Sequence, residues 1–532
     1  MRPAGRRAVE SARPLALLRR QLRRRAFYRT GADRLAAQRD GRARQRLDLP
    51  RVDSENRRLL PDLLQLDERT LRLENQPVRG REYFRPERHG KIEGCVLSVK
   101  KKLVLISHDA LVGEDLAYLQ KSEPFRSLLR DGARIRSLRS IYPTVTYPAH
   151  ASLITGVYPE RHGVVGNEVC SIGTLGAPWN WFRPANKSKS LFTAAKEAGM
   201  TTAAVFWPVT GNDPDIDYLV DEYWPQSPDE TMREALLRAG TSEALYDAVV
   251  ENRLGLLGGS PRPVHPQFDE FVVAVACDII ETYKPDLIAL HPANVDAARH
   301  GNGVFSEPVT QSLDEVARMT QDVIDAAKRA GTFEETDFVI LSDHGQMDVT
   351  RAVNPNVVFA ERGLIKTDDA GNFLDYSAFC QSCGMSAYVY LKNPSNLGVQ
   401  ETVADLLEEM RRDGRYGISE VLTREEAARR EHLYGSFSFV IETDGTTTFG
   451  NRWTPPVSSP LTNSDYRFGL ATHGYLPDKG AQPVFIGCGP SFRRGASVER
   501  RPLVDCAPTC AAALGLSMPW AQGQAVTELL NH

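Results

Sequence analysis

The chain has 532 residues, 42% of them hydrophobic and 25% charged, enough for a large core and for roughly two to four domain-sized units. Its net charge of −3 hides two unlike parts: residues 1–98 hold 25 Lys+Arg against 13 Asp+Glu, and the remainder is correspondingly acidic. The apolar runs of the leading segment are too short for a secretory signal, and the longest later run, FVVAVAC before Asp278, falls far below the ~20 residues that cross a bilayer, so neither export nor a membrane span is expected.

The Arg-rich residues 1–98 are read as a poorly ordered extension that takes no part in the fold, in preference to a nucleic-acid arm or an organelle leader, and the catalytic domain is expected over 99–532. From Lys100 the pattern changes. LVLI at 103–106 is a short continuous apolar run ending in SHDA, the profile of a buried parallel strand with polar residues at its carboxyl end. Next comes SIYPTVTYPAHASLITGVYPERHGVVGN at 140–167, read as a strand end, a Pro-bounded turn carrying Thr144 and Thr146, and a helix from about Ala149 to Gly156. A hydroxyl at the mouth of a helix N-terminus, where free N–H groups favour anions, is well placed to meet a phosphoryl group.

Residues 178–265, rich in Trp, Pro and Gly, look like an insertion; Trp179, Trp181 and Trp207 are expected in a core or lid. DLIALHPANVD at 286–296 and DFVILSDH at 337–344 repeat the strand-then-Asp/His design. Between them SLDEVARMTQDVIDAAKRAG is helical, with Leu313, Val316, Met319, Val323 and Ala327 on one face and Gly331 as its stop. A second insertion is expected over 366–465, with a hairpin in VIETDGTTTF turning at Asp444 and Gly445. The core resumes with VFIG at 484–487 and a short helix after Ala507. Strands alternating with helices predict an α/β fold with a mostly parallel sheet covered on both faces, its ligands at the carboxyl ends of the strands. The eight cysteines have no framework spacing, which fits a reducing cytoplasm, and the CQSC pair Cys380 and Cys383 is read as structural.

Four strand-end spots carry metal-ligand chemistry: Asp109; Asp296 with His300; Asp343 with His344; and His473. Asp296 and His300, four apart, project from one side of a helical turn, and oxygen and nitrogen donors without thiolates suit Zn2+ or Mn2+. The set resembles the nucleotide pyrophosphatase/phosphodiesterase branch of the alkaline phosphatase superfamily over roughly residues 100–520: PTVTYPAH, TGVYPERHG, the Asn closing GVVGN, and the ordered ligand series all match. The resemblance implies an alkaline-phosphatase-like fold and two divalent ions, most simply zinc. One would be held by Asp296, His300 and His473, the other by Asp109, Asp343, His344 and Thr146. It further implies Thr146 as nucleophile, a phosphothreonine intermediate, Asn167 on a phosphoryl oxygen, and a small phosphorylated substrate such as a nucleotide. Tyr147 could stack on a planar substituent. The family's usual Lys between the threonines is Val145 here, its Asn before the His is Ala149, and Ala110 stands where Gly is common. These departures bear on substrate choice. A phosphomonoesterase, phosphonate hydrolase or phosphomutase on the same scaffold is the alternative activity, and a silent binding protein is disfavoured because clustered carboxylates and imidazoles without a metal would repel.

Overall fold

The computed structural model of the chain describes residues 101–260 and 262–531. These belong to one unit, Gly94–His532; the expected extension over 1–98 lies outside the described residues. None of the described helices is long and apolar enough to cross a membrane.

In chain order, strands β1 (Lys102–Ser107), β2 (Ala133–Arg139), β3 (Thr202–Val205), β4 (Tyr218–Val220), β5 (Leu287–Leu290) and β6 (Thr336–Leu341) come first. A second group comes next, β7 (Ala378–Ser382), β8 (Ser386–Leu391), β9 (Ile418–Thr423) and β10 (Phe439–Thr443), and then β11 (Phe485–Cys488) and β12 (Ser497–Pro502). The main sheet has eight strands in the order β12-β2-β11-β6-β1-β5-β3-β4. All its pairings are parallel except the two made by β11. This is the mostly parallel α/β sheet expected from the sequence.

The continuous apolar runs arise from burial on both faces. In β1, Val104 and Ile106 pack on one side against α2 (Gln267–Tyr283) and α4 (Glu307–Ala330), while Leu103 and Leu105 pack on the other against α1 (Thr146–Thr155) and α5 (Cys506–Ala513). The long helix α4 carries the predicted apolar stripe and ends at Gly331, whose φ of 73° is the left-handed conformation glycine adopts freely. Ile106 is paired with both Leu290 and Ile340, so β1, β5 and β6 end level and deliver the residues beyond their carboxyl ends to one rim.

Two expectations need correction. Residues 178–265 are not simply an insertion, because they supply β3 and β4 to the end of the main sheet. VIETDGTTTF does not form a hairpin either. Its first half, β10, pairs with β8 and β9, whereas Thr447–Phe449 pairs in parallel with Arg351–Val353. The turn itself exists, with Gly445 at φ 96°, and the Thr443 hydroxyl donates to the Thr447 carbonyl. The backbone groups that a hairpin would pair are used by two different sheets.

Strands β7 to β10 build an antiparallel sheet in the order β7-β8-β10-β9. One face packs against the helix Leu397–Asp413 through Val403, Leu406, Leu407 and Met410. The opposite side forms a seam in which Tyr388, Phe437 and Val440 meet Tyr142 and Val145 from the main domain.

Candidate active site

The level strand ends bring the dispersed acids and histidines together. Asp109 lies two residues past β1, His291 directly past β5, and Asp343 and His344 just past β6. The Asp109 amide donates to the Pro292 carbonyl and the His108 amide to the Leu341 carbonyl, both at 3.0 Å, so backbone bonds lock the three strand ends to one another, and the Ala110 amide also donates to the Asp343 side chain, at Oδ1, at 3.2 Å. Helix α3 (Asn294–Asn302) supplies Asp296 and His300, with His300 Nε2 3.2 Å from Asp296 Oδ2. His473 comes directly after the short strand Ala471–Thr472 and places Nε2 3.8 Å from Asp296 Oδ1.

Helix α1 begins at Thr146, three residues earlier than expected. Pro148, read as a turn residue, sits inside the first turn, where a missing N–H costs nothing. Thr146 is thus the first helical residue, and its Oγ1 lies 3.2 Å from His344 Nε2. No N-cap side chain serves this helix, because Val145 has none to offer. Asn167 takes the part instead: its Oδ1 accepts from the Tyr147 amide at 2.9 Å. This bond fixes the side-chain amide so that Nδ2 is the group left over, a donor beside Thr146. Tyr147, expected against a planar substituent, is fully buried and edge-on to Trp179 at 5.3 Å between ring centres. Val145 is buried in the seam with the second sheet, and Ala149 in the core under the main sheet. Trp207 is a core residue, while Trp179 lines the cavity over the site.

Two groups of donors lie close enough for a common ion. Asp296, His300 and His473 each offer a ligand atom within 4.8 Å of one another, and so do Asp109, Asp296 and His344. Asp343 borders the second group, with Oδ2 3.1 Å from His344 Nε2. Asp296 stands between the groups. Asp109 Oδ1, Asp343 Oδ2 and His300 Nε2 are buried without hydrogen-bond partners. His300 Nδ1 is engaged by the Ala471 carbonyl at 2.7 Å, which leaves Nε2 as the free donor atom. Burial, then the charges of Asp343 and Asp296, push the Asp109 carboxyl well above its ordinary range. For Asp296 burial acts the same way but is outweighed by His300, which holds it well below. Burial and the neighbouring His344 hold His473 neutral. Crowded buried carboxylates and imidazoles suit divalent cations bound through oxygen and nitrogen.

Several contributors went unread in the sequence. Gln346 donates to Asp296 Oδ1 at 2.5 Å. His150 bridges the Thr146 carbonyl and the Ser107 hydroxyl, both at 2.9 Å, with Nδ1 3.5 Å from Asp343 Oδ2. His108, adjacent to Asp109, points away to Thr320 Oγ1 at 2.9 Å, and burial lowers it to about 3. It is a core histidine. Cys380 and Cys383 are buried thiols, the latter pushed up to about 12 by burial, as a structural role requires. A cavity of about 210 Å³ above the donors is lined by Thr146, Trp179, Glu222, Trp224 and Tyr466. A groove of about 520 Å³, lined by Lys187, Tyr388 and Tyr434, shares Asn167 and Tyr466 with it.

The sequence profile of type I phosphodiesterase / nucleotide pyrophosphatase matches residues 103–476. The chain belongs to that family. Its members hydrolyse phosphodiester and nucleotide pyrophosphate bonds, and its fold accounts for the arrangement above. The chain is 24% identical over 421 residues to ectonucleotide pyrophosphatase/phosphodiesterase family member 7 of Rattus norvegicus, covering 75% of this chain and 80% of the relative. It is 24% identical over 226 residues to family member 1 of Homo sapiens, covering 41% of this chain and 20% of the relative. The matches to family member 1 of Mus musculus and Rattus norvegicus likewise span 20% of those proteins. The structure of murine ectonucleotide pyrophosphatase / phosphodiesterase 5 in complex with AMP superposes with a TM-score of 0.57 at 18% identity, covering 81% of this chain and 100% of that one. The alkaline-phosphatase-like α/β fold expected from the sequence is therefore the fold of the chain.

Proposed function

We propose that the protein is a divalent-metal-dependent phosphodiesterase or nucleotide pyrophosphatase that works through a phosphothreonine at Thr146. The observation that carries this reading is the position of Thr146: first residue of a helix, with its hydroxyl 3.2 Å from His344, beside two groups of converging carboxylates and imidazoles. Asp296, His300 and His473 would hold one ion and Asp109, Asp343 and His344 the other, with zinc the natural choice for this donor set. Such a pair, when bound, supplies Lewis acidity that makes a threonine hydroxyl nucleophilic and neutralises charge on the departing oxygen.

The protein's own groups do the rest. Thr146 Oγ1 attacks phosphorus as the bond to the departing alcohol or phosphate breaks, and water then cleaves the Oγ1–P bond and restores the hydroxyl. Asn167 Nδ2 and the Thr146 amide stabilise the non-bridging oxygens, since the Tyr147 amide is taken by Asn167, the Ala149 amide by the Val145 carbonyl, and Pro148 has none. Two spaces that meet at Asn167 suit a substrate with two arms, which favours a diester over a monoester. The complex of AMP with the murine neighbour supports a nucleotide as one arm.

Acid quenching during turnover of a nitrophenyl phosphodiester, followed by peptide mass spectrometry, tests the covalent step. One phosphoryl group is expected on Thr146, and the Thr146→Ala protein should lose at least about a thousandfold in kcat. Phosphorylation at another residue, or undiminished turnover by Thr146→Ala, would refute the mechanism.

A further inference from the structure

We propose that His291, absent from the ligand sets above, is the positioning residue that sets the carboxylate of Asp109 for metal binding. The proposal rests on the reading of Asp109 as a metal ligand. The His291 ring is buried, with Nε2 3.1 Å from Asp109 Oδ2. Oδ2 is the tethered oxygen, and Oδ1 is left without a partner, 3.5 Å from His344 Nε2. Rotation of the Asp109 carboxylate would exchange its two oxygens, bringing the other one toward His344 and Asp296. The imidazole stops that rotation and decides which oxygen faces the donors.

The support behind His291 is stiff. The Pro292 carbonyl accepts from the Asp109 amide at 3.0 Å, so adjacent residues of one loop hold the backbone and the side chain of Asp109. Asp269 fastens that loop from outside, Oδ1 accepting from the Ala293 amide at 2.6 Å while Oδ2 holds His265 at 2.7 Å. The ring of His291 also packs edge-on against His150 at 4.2 Å between centres, and His150 lies 3.5 Å from Asp343 Oδ2. Two imidazoles in contact thus stand behind the two acids and fix their separation. Loss of an outer partner of this kind typically costs about 10–100-fold in metal affinity.

The test is a zinc titration of the purified full chain, freed of metal and read against a chromophoric chelator, for the wild type, His291→Leu and His291→Gln. Leu keeps the bulk and removes the hydrogen bond; Gln places an amide donor near the position of Nε2. The wild type is expected to take up two equivalents. His291→Leu should weaken one of them about 10–100-fold and leave the other in place, and Gln should recover affinity to within about threefold. A folded Leu variant binding both equivalents like the wild type overturns the proposal, as does a Gln variant as weak as Leu. Should Leu fail to fold, Gln alone decides, and a tenfold loss in it counts against the proposal. A wild type that takes up no zinc overturns the metal reading itself, a result distinct from any difference among the variants.

Discussion

Asn167 has two jobs that a single substitution can separate. Its Oδ1 caps the start of α1 through the Tyr147 amide, and its Nδ2 is the group proposed above to meet a phosphoryl oxygen. Asn167→Asp keeps an acceptor for that amide, and a negative charge at a helix N-terminus is tolerated or favoured. It replaces the donor with a charge that repels the substrate. The expected outcome is a melting temperature close to wild type and a kcat lower by about a hundredfold or more, whereas Asn167→Ala should lose both stability and turnover. Parallel thermal melts and steady-state kinetics check this, and equal activity in the Asp variant would remove Asn167 from the reaction. Val145 belongs to neither group of converging donors. The side chain at this position is buried in the seam beneath the second sheet.

At the scale of elements, the contact between β10 and the turn before α1 passes through one buried carboxyl. Glu442 accepts from the Tyr142 hydroxyl at 2.8 Å, from the Leu476 amide at 3.0 Å and from Lys479 at 2.9 Å. Burial, only partly offset by Lys479, pushes it up to about 7. Because the folded form holds its proton more tightly than the unfolded chain, the sign is set. Stability from this group is full below about pH 4.3, falls by up to roughly 3 kcal/mol as pH rises to about 7, and is flat beyond. Glu442→Gln removes that dependence. Urea denaturation at about pH 5 and about pH 7.5 should show the variant gaining on the wild type at the higher pH; an equal difference at both would contradict the assignment.

These elements also mark how far the sequence could be read. The apolar runs of β1, β5 and β6 and the stripe of α4 were legible because burial on two faces or on one face writes directly into residue type. The helix start was misplaced because Pro148 reads alike in a turn and in a first helical turn. The hairpin failed because an Asp-Gly turn specifies a reversal of the chain and not which strands pair afterwards. His291 was visible as a strand-end histidine, but its partner lies 182 positions away, and only the parallel register of β1 and β5 brings them together.

For the whole molecule, the main sheet assembles donors from distant parts of the chain at one rim, and the second sheet closes over the turn that carries Thr146. The cavity and the groove meet at Asn167, so the scaffold offers room on both sides of that side chain. That shape, with the converging acids and histidines, is the case for a metal-dependent diesterase. The most direct measurement is a paired assay of the purified chain on a nitrophenyl phosphodiester and the corresponding monoester, before chelation, after it and after zinc is returned. Faster turnover of the diester, lost on chelation and restored by zinc, is the predicted result. A preference for the monoester, or activity that survives chelation, would contradict it.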